Sequence, residues 1–196
     1  MDTVYLVTRH DPYVVALAYL LAAFASFVTL DLARRVQTAD GNARTGWWAG
    51  GAITMGTGIW AMHFVAMLGF EPGIALGFDP ALTALSWMAA VVAGGVALAA
   101  ATHERLSVWL GLVACTAMAT GICGMHYVGM AALAFEPGID WIGARVIGSA
   151  AVAWGASAVA LALFAMMRRL RGTQRLLVQI GAALVMGLAI SGMHFL

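Results

Sequence analysis

The chain has 196 residues, 63% of them hydrophobic and only 10% charged, and its 10 basic residues, all arginine, nearly cancel 9 acidic ones. A soluble domain is roughly 45–50% apolar and about 25% charged, so the composition excludes a water-soluble globular domain, and with it disorder, collagen and coiled coil. A net charge of +1 also argues against nucleic acid as a partner, which calls for a basic face.

The opening residues, MDTVYLVTRHDP, lack the basic stretch before an apolar one that marks a cleavable signal. Six apolar segments follow, at about 12–33, 47–69, 81–101, 106–133, 142–167 and 175–196. Each is near the roughly 20 residues a helix needs to cross a bilayer. Their hydrophobicity does not alternate, as barrel strands would require. The fold class expected is an all-α, polytopic membrane helix bundle of six transmembrane helices in one domain, residues 1–196, with the lipid bilayer around it.

The charges fall in the gaps. Arg34, Arg35 and Arg44 follow the first segment, Arg105 the third, and Arg168, Arg169, Arg171 and Arg175 the fifth, so eight of ten arginines share one side. The positive-inside rule makes that side cytoplasmic and the N-terminus external. Trp47, Trp48, Trp87, Trp109 and Trp141 lie near segment ends, as interfacial aromatics do. Asp31 has Arg34 and Arg35 at i+3 and i+4, which reads as an interfacial ion pair. Cys115 and Cys123, eight apart in one helix, stand about 12 Å from each other, beyond disulfide reach.

Three segments align without gaps: MGTGIWAMHFVAM from Met55, MATGICGMHYVGM from Met118, and MGLAISGMHFL from Met186. Two copies also share an outer loop, Phe70–Ile74 and Phe135–Ile139, of sequence FEPGI. The bundle therefore reads as three two-helix repeats, roughly 12–69, 81–133 and 142–196, with the motif near the outer end of each second helix. Gly56, Ala119 and Gly187, seven residues before each histidine, share its helix face. They are expected to let helices two, four and six approach one another, so that His63, His126 and His194 converge in the outer leaflet.

Imidazole is costly in lipid and marks a site. Imidazole with thioether suits copper, Cu(I) above all, and an open coordination position would accept O2, NO or CO. The metal candidates are His63, His126, His194, Met62, Met125 and Met193; the competing reading is a duplicated packing motif. A methionine next to a histidine is turned about 100° from it, so not every Met can ligate. Tyr127 reads as an interfacial aromatic, with a hydrogen bond to a ligand as the alternative. The turns at Glu71-Pro72 and Glu136-Pro137 read as solvated turns. His10 and His103 receive no role. No phosphate loop, HExxH, nucleophile elbow or paired catalytic carboxylates occur, so no enzymatic activity is expected of this chain.

At Met125-His126-Tyr127 the sequence resembles the MHYT domain, a bacterial integral-membrane sensor family, and the resemblance covers the whole chain. It implies an inner-membrane sensor that binds copper through the Met and His residues above and senses a diatomic gas (O2, NO or CO) or redox state. Phe64 and Phe195 depart from the motif's Tyr, so a general role for Tyr as ligand is not carried over. Family members often continue into GGDEF and EAL domains, which make and degrade cyclic di-GMP; that catalytic sequence is not in this chain.

Three other functions compete: a haem-binding sensor or electron-transfer protein, a metal-ion transporter, and a structural anchor. Against transport, the central halves of the helices hold few polar residues. Six spans from an external N-terminus leave the C-terminus outside. A sensor portion of a longer protein is therefore expected, with a seventh helix leading to a cytoplasmic output domain. The surface left by a missing helix makes a homodimer a further expected partner.

Overall fold

The computed structural model describes residues 9–71, 77–103, 106–134 and 141–195. Six helices carry the fold: α1 (Pro12–Thr38), α2 (Gly41–Leu68), α3 (Pro80–Thr102), α4 (Val108–Ala131), α5 (Gly143–Met167) and α6 (Gly172–His194). All six are long and apolar enough to cross a membrane, which makes the protein an all-α polytopic bundle. Three starts are set by side-chain caps. Asp11 Oδ1 accepts from the Tyr13 amide at 2.7 Å, Asp79 Oδ1 from Leu82 at 2.8 Å and Ser107 Oγ from Leu110 at 3.2 Å. Pro12 and Pro80 open their helices where a missing N–H costs nothing.

The helix bounds follow the apolar segments within a few residues, except at the first gap. There α1 runs on to Thr38 and α2 begins at Gly41, so Arg34, Arg35 and Arg44 lie inside helices. Apolarity ends with the hydrocarbon layer, but arginine is a good helix former. Arg35 Nε also meets Asp31 Oδ2 one turn back at 2.8 Å. Gly41, at φ 51°, makes the tight reversal between the two helices.

Each helix packs chiefly on its neighbours in sequence, and α6 closes back onto α1, giving a ring in chain order. At one end the ring is tied by two short antiparallel pairs. Strand β1 (Arg9–His10) pairs with β2 (Phe70–Glu71), and β3 (Gly77–Phe78) pairs with β4 (Leu133–Ala134). This end carries the three motif histidines; the arginines of α1, of the start of α2 and of the α5–α6 turn lie at the other.

The ring corrects one expectation. Helices α2, α4 and α6 alternate around it and touch one another little. The small residues below the histidines serve the odd helices instead. A side chain on Gly56 would stand 2.5 Å from Val91 Cα of α3, and one on Gly187 would stand 3.0 Å from Ala23 of α1. Ala119 is buried in a cluster with Ala153 of α5. The same device thus recurs three times, each even helix closing on the odd helix that follows it around the ring. Buried alanines dominate the interior, while Phe24, Val92, Ile147 and Leu188 face outward, as lipid-facing side chains do. Cys115 and Cys123 are unbridged.

Candidate metal centre

With the even helices held apart by the odd ones, only side chains reach the axis. His63, His126 and His194 do so together. His63 Nδ1 lies 2.9 Å from His194 Nδ1, and His126 Nδ1 lies 3.3 Å from His63 Nδ1. The ring centroids are 4.9, 4.8 and 5.3 Å apart, with interplanar angles of 67°, 80° and 90°. His63 and His126 are buried, and His194 is half-buried.

Hydrogen bonding alone satisfies this arrangement poorly. A neutral imidazole Nδ1 carries either one proton or one lone pair. His63 Nδ1 faces two other Nδ1 atoms and can serve one of them well. Three nitrogens within 4.8 Å of one another have no such conflict when a cation sits between them. Nitrogens ligating one ion at about 2 Å in tetrahedral geometry stand about 3.3 Å apart, close to the two separations found. The donor set therefore fits a metal ion.

His63 is fixed from behind. Its Nε2 is buried and has no hydrogen-bond partner among the described residues. It lies so close to α4 that a side chain on Gly129 would overlap it. Beside it Ser86 of α3, fully buried, donates to the Met125 carbonyl at 2.7 Å. Neither Gly129 nor Ser86 stood out in the sequence. Gly129 is a small residue one turn past His126, and Ser86 sits on a helix without the motif.

The methionines do not gather as the histidines do. Met62, Met125 and Met193 are all buried. Met62 and Met125 share one core cluster with Ile59, Ala90 and Ile190. Met193 lies in another, with Ala119 and Ala153. The first methionine of each motif copy behaves differently: Met55, Met118 and Met186 line one apolar axial cavity of about 60 Å³. Ile59 and Ile190 also line it, one helical turn below His63 and His194.

The hydrogen bond that Tyr127 makes goes to Ser149 Oγ and not to a candidate metal ligand. Its ring meets His126 at 4.9 Å and Trp141 at 5.1 Å. A cavity of about 200 Å³ opens here, lined among others by Tyr127, Ser149, Arg145, Met193, His126 and His194. His10 stacks edge-on against Phe195 at 5.3 Å, and His103 ends α3 at the arginine end. The turns at Pro72 and at Glu136-Pro137, and the shared outer loop apart from Phe70 and Glu71, lie outside the described residues; so do Glu104 and Arg105.

Comparison with known proteins identifies two repeat units, with bounds that differ from the three helix pairs read from the sequence. The MHYT family model, described as a bacterial signalling protein N-terminal repeat, matches residues 56–114 and 120–179. Each matched unit starts within the motif of an even helix and runs across the next odd one. The chain is 42% identical over 196 aligned residues to the bifunctional diguanylate cyclase/cyclic di-GMP phosphodiesterase MucR of Pseudomonas aeruginosa, covering 97% of this chain and 28% of that protein. It is 36% identical to the cyclic di-GMP phosphodiesterase NbdA of the same organism, covering 95% of this chain and 24% of that one. It is 31% identical to the signaling protein YkoW of Bacillus subtilis, covering 95% and 23%. The chain thus spans about a quarter of the length of these relatives. No solved structure matches it.

Proposed function

The chain belongs to the MHYT family of bacterial signalling proteins, and on that premise we propose that it is a membrane sensor domain holding one copper ion on His63, His126 and His194. The observation that carries this reading is the convergence of three Nδ1 atoms at 2.9 and 3.3 Å. No carboxylate joins the cluster among the described residues. A monovalent ion on neutral ligands in an apolar site costs less than a divalent one, which favours Cu(I). Met193, beside the cavity at His194, is the best placed of Met62, Met125 and Met193 to add a thioether, a soft ligand suited to that ion. Haem fits less well, since no porphyrin plane passes between nitrogens this close.

The signal in this reading is a diatomic gas or a redox change. The 200 Å³ cavity at His126 and His194 offers a way in, and the apolar cavity under the cluster suits a small neutral molecule. The arginine end faces the cytoplasm of the bacterial inner membrane by the positive-inside rule, with the N-terminus outside. MucR and NbdA are named for cyclic di-GMP turnover, so the output proposed is control of such a cytoplasmic domain in a longer protein. The chain itself acts as sensor, not catalyst. Metal analysis tests the reading. Purified chain should retain about one copper, and the combined change His63→Ala, His126→Ala, His194→Ala should remove it. Full copper content in the triple variant would sink the assignment, and a Soret band in place of copper would favour haem.

A further inference from the structure

At the end opposite the histidines, α1 and the turn joining α5 to α6 enclose a groove of about 720 Å³. Arg34, Arg168, Arg171 and Arg175 line it, with Asp31 as the one acidic lining residue. Asp31 is already engaged, its Oδ2 accepting from Arg35 Nε at 2.8 Å. Arg168 Nη1 donates to the His103 carbonyl at 3.0 Å, which steadies that side chain while leaving other guanidinium N–H groups free. Among the described residues Arg34, Arg171 and Arg175 form no ion pair. The groove therefore holds a surplus of guanidinium groups, whose forked donors match phosphate oxygens.

The backbone adds to this. Arg171, Gly172, Arg175 and Leu176 bring the first turn of α6 to the groove. That turn has no side-chain cap and starts at Gly172 with φ 56°. Its free N–H groups favour an anion. Phe27, Leu170 and Leu176 form the apolar part of the lining, and Thr38 and Gln179 are its neutral polar residues. Gln179 is buried, its Nε2 tied to the Phe27 carbonyl at 3.0 Å.

A cationic rim over an apolar floor, at the end of membrane-spanning helices, matches a phosphate diester that carries acyl chains. We propose that this groove binds an anionic phospholipid, its phosphate on Arg34, Arg171 and Arg175 and its upper acyl chain along Phe27 and Leu176. A free phosphate would use the arginines and leave the apolar floor unfilled.

Native mass spectrometry of the detergent-solubilised full chain tests this, with phosphatidylglycerol and phosphatidylcholine as probes. Phosphatidylglycerol should be retained at least about tenfold more tightly than phosphatidylcholine. The double change Arg34→Gln, Arg175→Gln should abolish that preference, while Arg44→Gln, at the same end but outside the groove, should keep it. If the double variant loses its helical circular dichroism, the single change Arg171→Gln on the exposed turn takes its place. No preference in the unmodified chain, or equal loss in Arg44→Gln, overturns the proposal. Inorganic phosphate separates the two sources of the same chemistry. If it displaces the lipid at matched concentration, the site serves a soluble phosphate and the lipid assignment falls.

Discussion

The two ends of the bundle use nitrogen in opposite ways. At one end three imidazoles turn inward from α2, α4 and α6 and face one another, those of His63 and His126 buried, with no acid in the cluster among the described residues. At the other, arginines from α1 and the α5–α6 turn stay at the surface around an open groove. The first arrangement is expensive in a membrane unless something on the axis binds all three rings. The second keeps its charge near water and headgroups, as long cationic side chains do. On the proposed reading, helix packing at the histidine end answers to a metal inside, and at the arginine end to a lipid outside. Disturbing the first should change metal content, and disturbing the second should leave it alone.

Changes at the histidine end should have the larger effects. Gly56→Val puts a side chain against the Val91 backbone and should cost about 3 kcal/mol by overpacking. A thermal melt in detergent reads it, with Gly50→Val, open within 4 Å, as control. Next is Gly129→Ala, whose methyl overlaps His63 Nε2. Copper affinity should fall about 10- to 100-fold, as when the support of a metal ligand is lost. Gly124→Ala on the same helix meets nothing within 4 Å and should bind copper as before. Equal affinity in the two variants would break the link between α4 and His63.

Smaller effects sharpen the contrast. Ser86→Ala leaves the buried Met125 carbonyl without its 2.7 Å donor and should cost about 1–2 kcal/mol of stability. Tyr127→Phe removes the bond to Ser149 and should cost about 1 kcal/mol, with copper stoichiometry unchanged; loss of copper there would make Tyr127 a ligand. Arg35→Gln breaks an ion pair whose side chains are 52% and 38% exposed. Its effect on the melt should stay within about 0.5 kcal/mol, with no change in metal content.

The six helices were legible because apolar run length is set by bilayer thickness, and the meeting of the three histidines because the motif repeats at matched helix positions. What lay beyond the sequence was the identity of each neighbour. Gly56, Ala119 and Gly187 mark close helix approach, but a small residue does not say which helix it admits, and ring closure chose the odd ones. Met62, Met125 and Met193 follow the histidines in number but not in direction, since each residue turns the helix about 100°. Gly129 and Ser86 act once each, so no repeat exposes them. The arginine side was visible from the sequence; the groove was not, because it depends on α1 ending beside the start of α6.

X-ray absorption at the copper edge, on the purified full chain loaded with Cu(I), tests the central claim most directly. Three imidazole nitrogens at about 2.0 Å should surround one copper per chain, with the outer-shell scattering of histidine rings. That scattering should vanish in the triple histidine variant. Copper bound without imidazole scattering, or with a spectrum unchanged in that variant, would contradict the account.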